Sequence, residues 1–274
     1  MKKFVIILVI FLPIYLFSMY DTINKGAYSY AMGDASVAFS KGASSVFINP
    51  AGLGKSSFVS ITTTHQNIFG VKDLYNEMLA FNFPLPFVRM GIGTNQLILL
   101  NQYSEQVYYI SGASIIRIIK IPIYFGISTK ILHSSVNYAG ANKPISFNLD
   151  FGIIADLNKN LSFGFVMKNP VKNKIVFLKY ENTTKTSYEI GAAYNWKNVM
   201  NFTADYQIKN KIGKFKFGWE LWFYNVFAPR IGLNGENLTA GFGLKSKRWA
   251  LDGAILSHDS LGSDYKISFT YKFK

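Results

Sequence analysis

Any catalysis by this chain would have to come from its acids and bases, because the other usual reagents are missing. No cysteine occurs in 274 residues, which removes thiolate chemistry and disulfides together. The three histidines, His65, His133 and His258, stand far apart without metal-ligand spacing. Gly91-x-Gly93 and Gly241-x-Gly243 look like fragments of a phosphate loop, yet neither lies between a strand and a helix N-terminus, as a nucleotide site requires. What remains is a set of carboxylates, Asp150, Glu189, Asp205, Glu220 and Asp252, on the same face of their segments as Arg89, Lys130, Lys168, Arg230, Lys245 and Lys266. Such a set does acid–base chemistry only in a shielded pocket that perturbs one member. On a face with this many cations, mutual pairing is the expected role; no enzyme activity, cofactor or metal is expected.

The elements that carry these charges are period-two segments. In "YKISFTYKFK" the residues Tyr265, Ile267, Phe269, Tyr271 and Phe273 fall on one face, and Lys266, Ser268, Thr270 and Lys272 on the other. In "KFKFGWELWFY" Phe215, Phe217, Trp219, Leu221 and Phe223 oppose Lys214, Lys216, Gly218 and Glu220. A slip of one residue would exchange the two faces. Fourteen such segments are expected, at about 57–66, 75–83, 86–95, 105–118, 121–133, 145–157, 160–168, 186–195, 198–208, 213–224, 226–234, 237–246, 247–256 and 265–273. Turn-forming Asn, Gly and Lys separate most of them, and the longer connections, near 137–144, 169–185 and 257–264, are expected on one rim.

Before the segments come two stretches of different character. "MKKFVIILVIFLPIYLFS" has two lysines, an apolar run and a small residue, the layout of a secretory signal peptide over residues 1–18. Its apolar run of about 14 residues is shorter than the roughly 20 that span a bilayer as a helix. An exported chain with no helical span but with aromatics at both ends of its apolar faces is read as an all-β, antiparallel transmembrane β-barrel over residues 57–274, in the outer membrane. A soluble sandwich alternates in the same way but has no use for the aromatic girdles. The net charge of +14 becomes about +12 without the two leader lysines. That excess fits anionic solutes such as carboxylates or an anionic surface, and no nucleic-acid partner is expected.

Residues 19–56 show no alternation and are rich in Gly, Ala and Ser. Ten glycines, Gly91, Gly93, Gly126, Gly152, Gly164, Gly191, Gly218, Gly232, Gly241 and Gly243, fall on the inward register of the strands. They either help the wall coil or make room for something inside. Small residues on the segment and on the wall suit one another, so residues 19–56 are expected as a lumenal plug. The Asn49-Pro50 step holds Asn49 extended, and Ala51-Gly52 turns the chain toward the first strand, where Gly52→Val is expected to prevent the turn or force the plug outward.

"GAYSYAMGDASVAFSKGASSVFINPAGLGK", "LDFGIIADLNKNLSFGFVMKN" and the closing "YKISFTYKF" resemble the FadL-like outer-membrane proteins, and more closely their PorV/PorQ branch. The resemblance implies a fourteen-stranded barrel with Met32 and Gly33 in the plug and Asn49, Pro50, Ala51 and Gly52 at its hinge. It implies uptake of hydrophobic or amphipathic small molecules through a plugged channel, or alternatively a PorV-like scaffold or shuttle subunit for other exported proteins, or a structural barrel. Outer-membrane lipid and the barrel-assembly machinery are the implied partners. The latter would read Tyr265, Ile267, Phe269, Tyr271 and Phe273 as an assembly signal, here followed by Lys274. Exchanging charge on the inward face, as in Lys216→Glu, is expected to be harmless. The chain should be recovered from membranes as a β-rich protein whose mobility on gels changes with heating. A helical circular-dichroism spectrum, or recovery in soluble form, would contradict this reading.

Overall fold

The computed structural model describes residues 25–137, 143–177, 180–258 and 262–273. The signal-peptide expectation for residues 1–18, and the first residues of the expected plug, lie outside them. Fourteen strands close into one antiparallel barrel: β1 (Ser60–Asn67), β2 (Leu74–Pro84), β3 (Arg89–Leu99), β4 (Tyr103–Ile118), β5 (Ile121–Val136), β6 (Ile145–Asp156), β7 (Leu161–Lys168), β10 (Ser187–Trp196), β11 (Met200–Lys209), β12 (Ile212–Leu221), β13 (Phe227–Asn234), β14 (Asn237–Lys245), β15 (Trp249–His258) and β16 (Gly262–Lys272). Each strand pairs with its neighbour in sequence, and β16 closes on β1 with Ser60 opposite Lys272 and Asn67 opposite Tyr265. Closure leaves no barrel strand with an unpaired edge, the arrangement a strand needs to cross a bilayer. Among the described residues no helix is long and apolar enough to cross one.

The fourteen expected segments are the fourteen barrel strands, displaced by a few residues at their ends. The connection expected at 257–264 is shorter, because β15 runs to His258 and β16 starts at Gly262. The connection after β7 holds a two-stranded hairpin outside the barrel, β8 (Lys174–Phe177) and β9 (Tyr180–Thr183), which was not expected. Several tight turns put two successive residues at positive φ, such as Asn210 at 50° with Lys211 at 67°. That geometry matches the twist of the strands they join.

Alternation sorts the side chains. Along β12, Phe215 and Phe217 are 62% and 48% exposed on the outer face, while Lys216 and Glu220 are buried inside. Tyr265, Ile267, Phe269 and Phe273 are likewise exposed on the outside, and Tyr271 shares their face. The interior is occupied by the chain's own N-terminal part: helix α1 (Ala27–Ala31), helix α2 (Ser45–Ile48) and a 3-10 helix, Pro50–Lys55. Val46, Phe47 and Leu53 pack there against Met78, Val107, Tyr109 and Leu132 of the wall. Phe47 meets Tyr109 edge to face at 5.3 Å between centroids. At about 1.5–3 kcal/mol per large apolar side chain, this cluster is the main hydrophobic anchor of the segment.

With Phe217 on the outer face in mid-strand, Phe217→Lys should weaken assembly by ~2 to 4 kcal/mol where it meets the hydrocarbon. Folding titrations into lipid vesicles measure it, and an unchanged midpoint would contradict the outward assignment.

Candidate functional site

The site is the seat of residues 25–56 inside the barrel. Glycine and serine interrupt both strands and long helices, so this segment folds as short helical turns that rely on the wall. The wall glycines make that contact possible. A Cβ on Gly164 would lie 2.7 Å from Ala38 Cα, on Gly91 2.7 Å from Val46 Cγ2, and on Gly218 2.6 Å from Met32 O. A Cβ on Gly126 would strike the backbone of Pro50 and Ala51, and one on Gly232 the backbone of Met32 and Gly33. Gly93 faces the Phe47 ring, Gly152 the Asn49 amide and Gly241 the Ala31 methyl. Gly191 and Gly243 serve another purpose, leaving space for the side chains of Asp205 and Arg230.

Asn49 fastens the segment on one side. It is fully buried and extended, with φ −147° and ψ 110°. Its Oδ1 accepts from Ala51 N at 3.1 Å, capping the 3-10 helix that Pro50 starts. Its Nδ2 lies within reach of three carbonyls, Val37 O at 3.1 Å, Phe165 O at 3.2 Å and Ile153 O at 3.3 Å, the last two on the barrel wall. Across the lumen Met32 is fully buried and Gly33 adopts φ +63°, donating its N–H to Thr239 Oγ1 at 3.1 Å. Gly52 has no positive φ. Its requirement is space, since a Cβ there would lie 2.6 Å from Ser40 O and Ser45 Oγ.

The inward charges divide into groups. Glu189 accepts from Lys25 of the segment at 3.1 Å and from Lys216 at 2.7 Å. Arg230 bridges Glu220 at 2.6 Å and Asp252 at 2.7 Å, and Lys130 pairs with Asp150 at 2.6 Å. Other charged groups bind the segment's backbone. Asp205 accepts from Ser36 N at 2.7 Å and Val37 N at 3.0 Å, Lys168 donates to Phe47 O at 2.6 Å, and Lys266 donates to Lys25 O at 2.9 Å. Arg89 stands apart, half-buried, with its Nε unpartnered. The expected wall-to-wall salt-bridge lining is therefore only part of the arrangement. Lys25 was not singled out by sequence, yet it joins the segment to Glu189; its place directly before the Gly-Ala motif was the one available signal. Burial lowers the Lys25 pKa, but Glu189, then Asp34 and Asp205, outweigh it and leave the ammonium above its ordinary value. Tyr30 is raised by burial and then by Asp264, whose carboxylate accepts its hydroxyl at 2.6 Å.

Between the segment and the wall, near the rim where the barrel's two ends meet, lies a cavity of about 930 Å³. Tyr28, Phe39, Phe58 and Trp222 supply its apolar lining, and Ser60, Thr62, Thr64, Ser268 and Thr270 its hydroxyls. Hydroxyls and aromatic faces together suit an amphipathic occupant.

No protein-family model matches the chain, and no curated protein matches its sequence. Solved structures do match. The CymD monoaromatic hydrocarbon channel superposes with a TM-score of 0.67 at 11% identity, over 93% of this chain and 99% of that one. The chain has the fold of these channels. The toluene transporter TbuX of Ralstonia pickettii superposes at 0.65 with 12% identity, over 93% of this chain and all of that one. A FadL homologue of Pseudomonas aeruginosa gives 0.61 at 9% identity, over 91% and 98% of the two chains. At such identities the likeness concerns fold.

Two substitutions probe the seat. Asn49→Ala should cost roughly 1–3 kcal/mol, because buried groups of the segment and wall lose a partner. Lys216→Glu, expected from sequence to be harmless, should instead cost about 3–5 kcal/mol, because it removes a buried partner of Glu189. Urea unfolding monitored by gel mobility checks both; wild-type midpoints would contradict the assigned contacts.

Proposed function

We propose that the protein is an outer-membrane channel for hydrophobic or amphipathic small molecules, plugged by residues 25–56, which must shift for a solute to pass. The observation that carries this reading is the glycine-lined seat: a barrel wall shaped to hold a short N-terminal segment, in the fold of channels named for toluene and monoaromatic hydrocarbons. A seat made of close packing and hydrogen bonds, with no covalent link, can be vacated locally at a fraction of the cost of unfolding the barrel. Asp150, Glu189, Asp205, Glu220 and Asp252 are all engaged in holding cations or the segment, which favours a structural over a catalytic role.

In this reading residues 1–18 direct export, Tyr265, Ile267, Phe269, Tyr271 and Phe273 engage the assembly machinery, and the outer face meets outer-membrane lipid. The PorV/PorQ likeness rests on the motifs around "AMGD" and "NPAG", and a scaffold role for other exported proteins has no further support beyond them.

Deleting residues 26–48 should leave a folded barrel with larger or noisier single-channel conductance in planar bilayers. Conductance unchanged by the deletion, with intact residues 26–48 readily trimmed by protease, would mean that the segment does not occlude the lumen.

A further inference from the structure

The inward charges pair with one another or with the plug, yet the chain carries a net charge of +14. Part of that excess is concentrated on one rim. The short connections that follow β2, β4, β6, β10, β12 and β14 all lie there, beside the paired strand ends Ser60 and Lys272. At or next to these turns stand Arg117, Lys120, Lys159, Lys197, Lys247 and Arg248, each exposed. Among the described residues of these turns none is an exposed acid; Asp156, at the end of β6, is held by Lys55 at 2.8 Å and Ser162 at 2.6 Å. The opposite rim mixes its signs, with Asp73 and Glu236 exposed among Lys72, Lys172 and Lys211.

The same turns expose apolar tips. Phe87, Ile119 and Tyr224 are 86%, 90% and 97% exposed. The β4–β5 hairpin also reaches beyond its neighbours, since its own pairing runs to Ile118 and Ile121 while that with β3 stops at Ala113 and that with β6 at Ile123. This extension exposes Ile116, Ile118 and Ile119 around Arg117 and Lys120. Elsewhere on the rim Lys197 Nζ lies 4.9 Å from the centroid of Trp196. Side chains of this kind are unfavourable toward water, whereas at a bilayer interface the apolar tips enter the acyl region and the long cations reach the phosphates. Every one of these turns carries a cation or such a tip, so the pattern runs round the barrel and forms no single patch. That arrangement suits a partner that surrounds the protein better than one docked at a point.

We propose that this rim binds the headgroups of acidic phospholipids, its six exposed cations meeting their phosphates while the apolar tips hold the rim at the depth of the interface. Each cation gains from the potential of an anionic surface as long as it stays within a Debye length of it. The apolar wall attracts acyl chains of any lipid alike, so a preference by headgroup has to come from the rim. The inference rests on the membrane-barrel reading and is independent of whether the barrel conducts.

Trp196 and Trp249 stand next in sequence to Lys197 and Arg248 and report on the lipids beside the rim. In the full chain reconstituted into vesicles, quenching of tryptophan emission by phosphatidylglycerol with brominated chains, set against phosphatidylcholine with the same chains, measures the relative affinity. Phosphatidylglycerol should be favoured about fivefold at low salt, the gain of one basic contact per headgroup, and less as salt is raised. Replacing Arg117, Lys120, Lys159, Lys197, Lys247 and Arg248 together by Gln should bring the ratio to about one. Lys72→Gln, Lys172→Gln and Lys211→Gln on the opposite rim should leave it unchanged. Equal affinity for both lipids in the wild type would overturn the proposal, as would a preference that survives the six substitutions in protein that keeps its heat-modifiable mobility. Polyglutamate bound through the six residues, without a lipid preference, would assign the rim to an acidic protein and overturn it too. Quenching by neither lipid would overturn the membrane reading and the proposal together.

Discussion

Everything inside this barrel depends on how closely two backbones can approach. An inward Cβ on the wall would hold the N-terminal segment away from the strands and leave its amide groups buried without partners. Glycine removes that obstacle at two seats. Gly126, Gly152 and Gly164, on β5, β6 and β7, receive the backbone at Pro50 and Ala51, the Asn49 amide and the chain at Val37 and Ala38. Gly218, Gly232 and Gly241, on β12, β13 and β14, receive Ala31, Met32 and Gly33. Neighbouring strands bring these glycines together, since Gly126 pairs with Gly152 and Gly218 with Gly232. Glycine costs a strand about 0.5–1 kcal/mol relative to alanine, so such patches need a return. Close packing and the hydrogen bonds of Asn49 and Gly33 supply it.

The charged residues add specificity to that packing. Placing so many ions inside a small lumen is unfavourable unless each finds a partner, and unpaired burial is worse than no charge at all. Lys25, Asp205, Lys168 and Lys266 each join wall to segment, so the plug helps satisfy the wall's buried charges. Plug and wall electrostatics are consequently one system. Emptying the lumen would leave polar groups in need of water, which a hydrated channel can supply and a dry one cannot. The cavity near Trp222 is the exception, where four cations face two acids.

The wall was readable from sequence because period-two alternation reports burial directly; Phe215, Phe217 and Lys216 needed no tertiary information to be placed. The inward glycines pointed to something held inside. What it looked like was beyond reach, because short helical turns such as Ala27–Ala31 have no periodic signature and are fixed by the wall. The role of Gly52 was hidden for a related reason. A glycine after Asn-Pro-Ala reads as part of a turn, and only the fold shows that it makes room for the neighbouring Ser40 backbone. Pairing on the inward face was also only partly legible, because alternation tells which way Lys216 points and not that Glu189 of another strand lies beside it. The β8–β9 hairpin lay in a stretch without turn residues at hairpin spacing.

The central proposal is that the seated segment occludes the lumen of the barrel. The chain has no cysteine, so a single engineered disulfide can test it. A Cβ on Gly26 would lie 3.4 Å from Ser268 Oγ, so Gly26→Cys and Ser268→Cys place two thiols side by side for oxidation. Single-channel conductance of the purified protein in planar bilayers should stay at the background of the plugged state when the pair is oxidised, and openings should return on reduction. Openings as frequent in fully cross-linked protein as in the reduced protein would contradict the account.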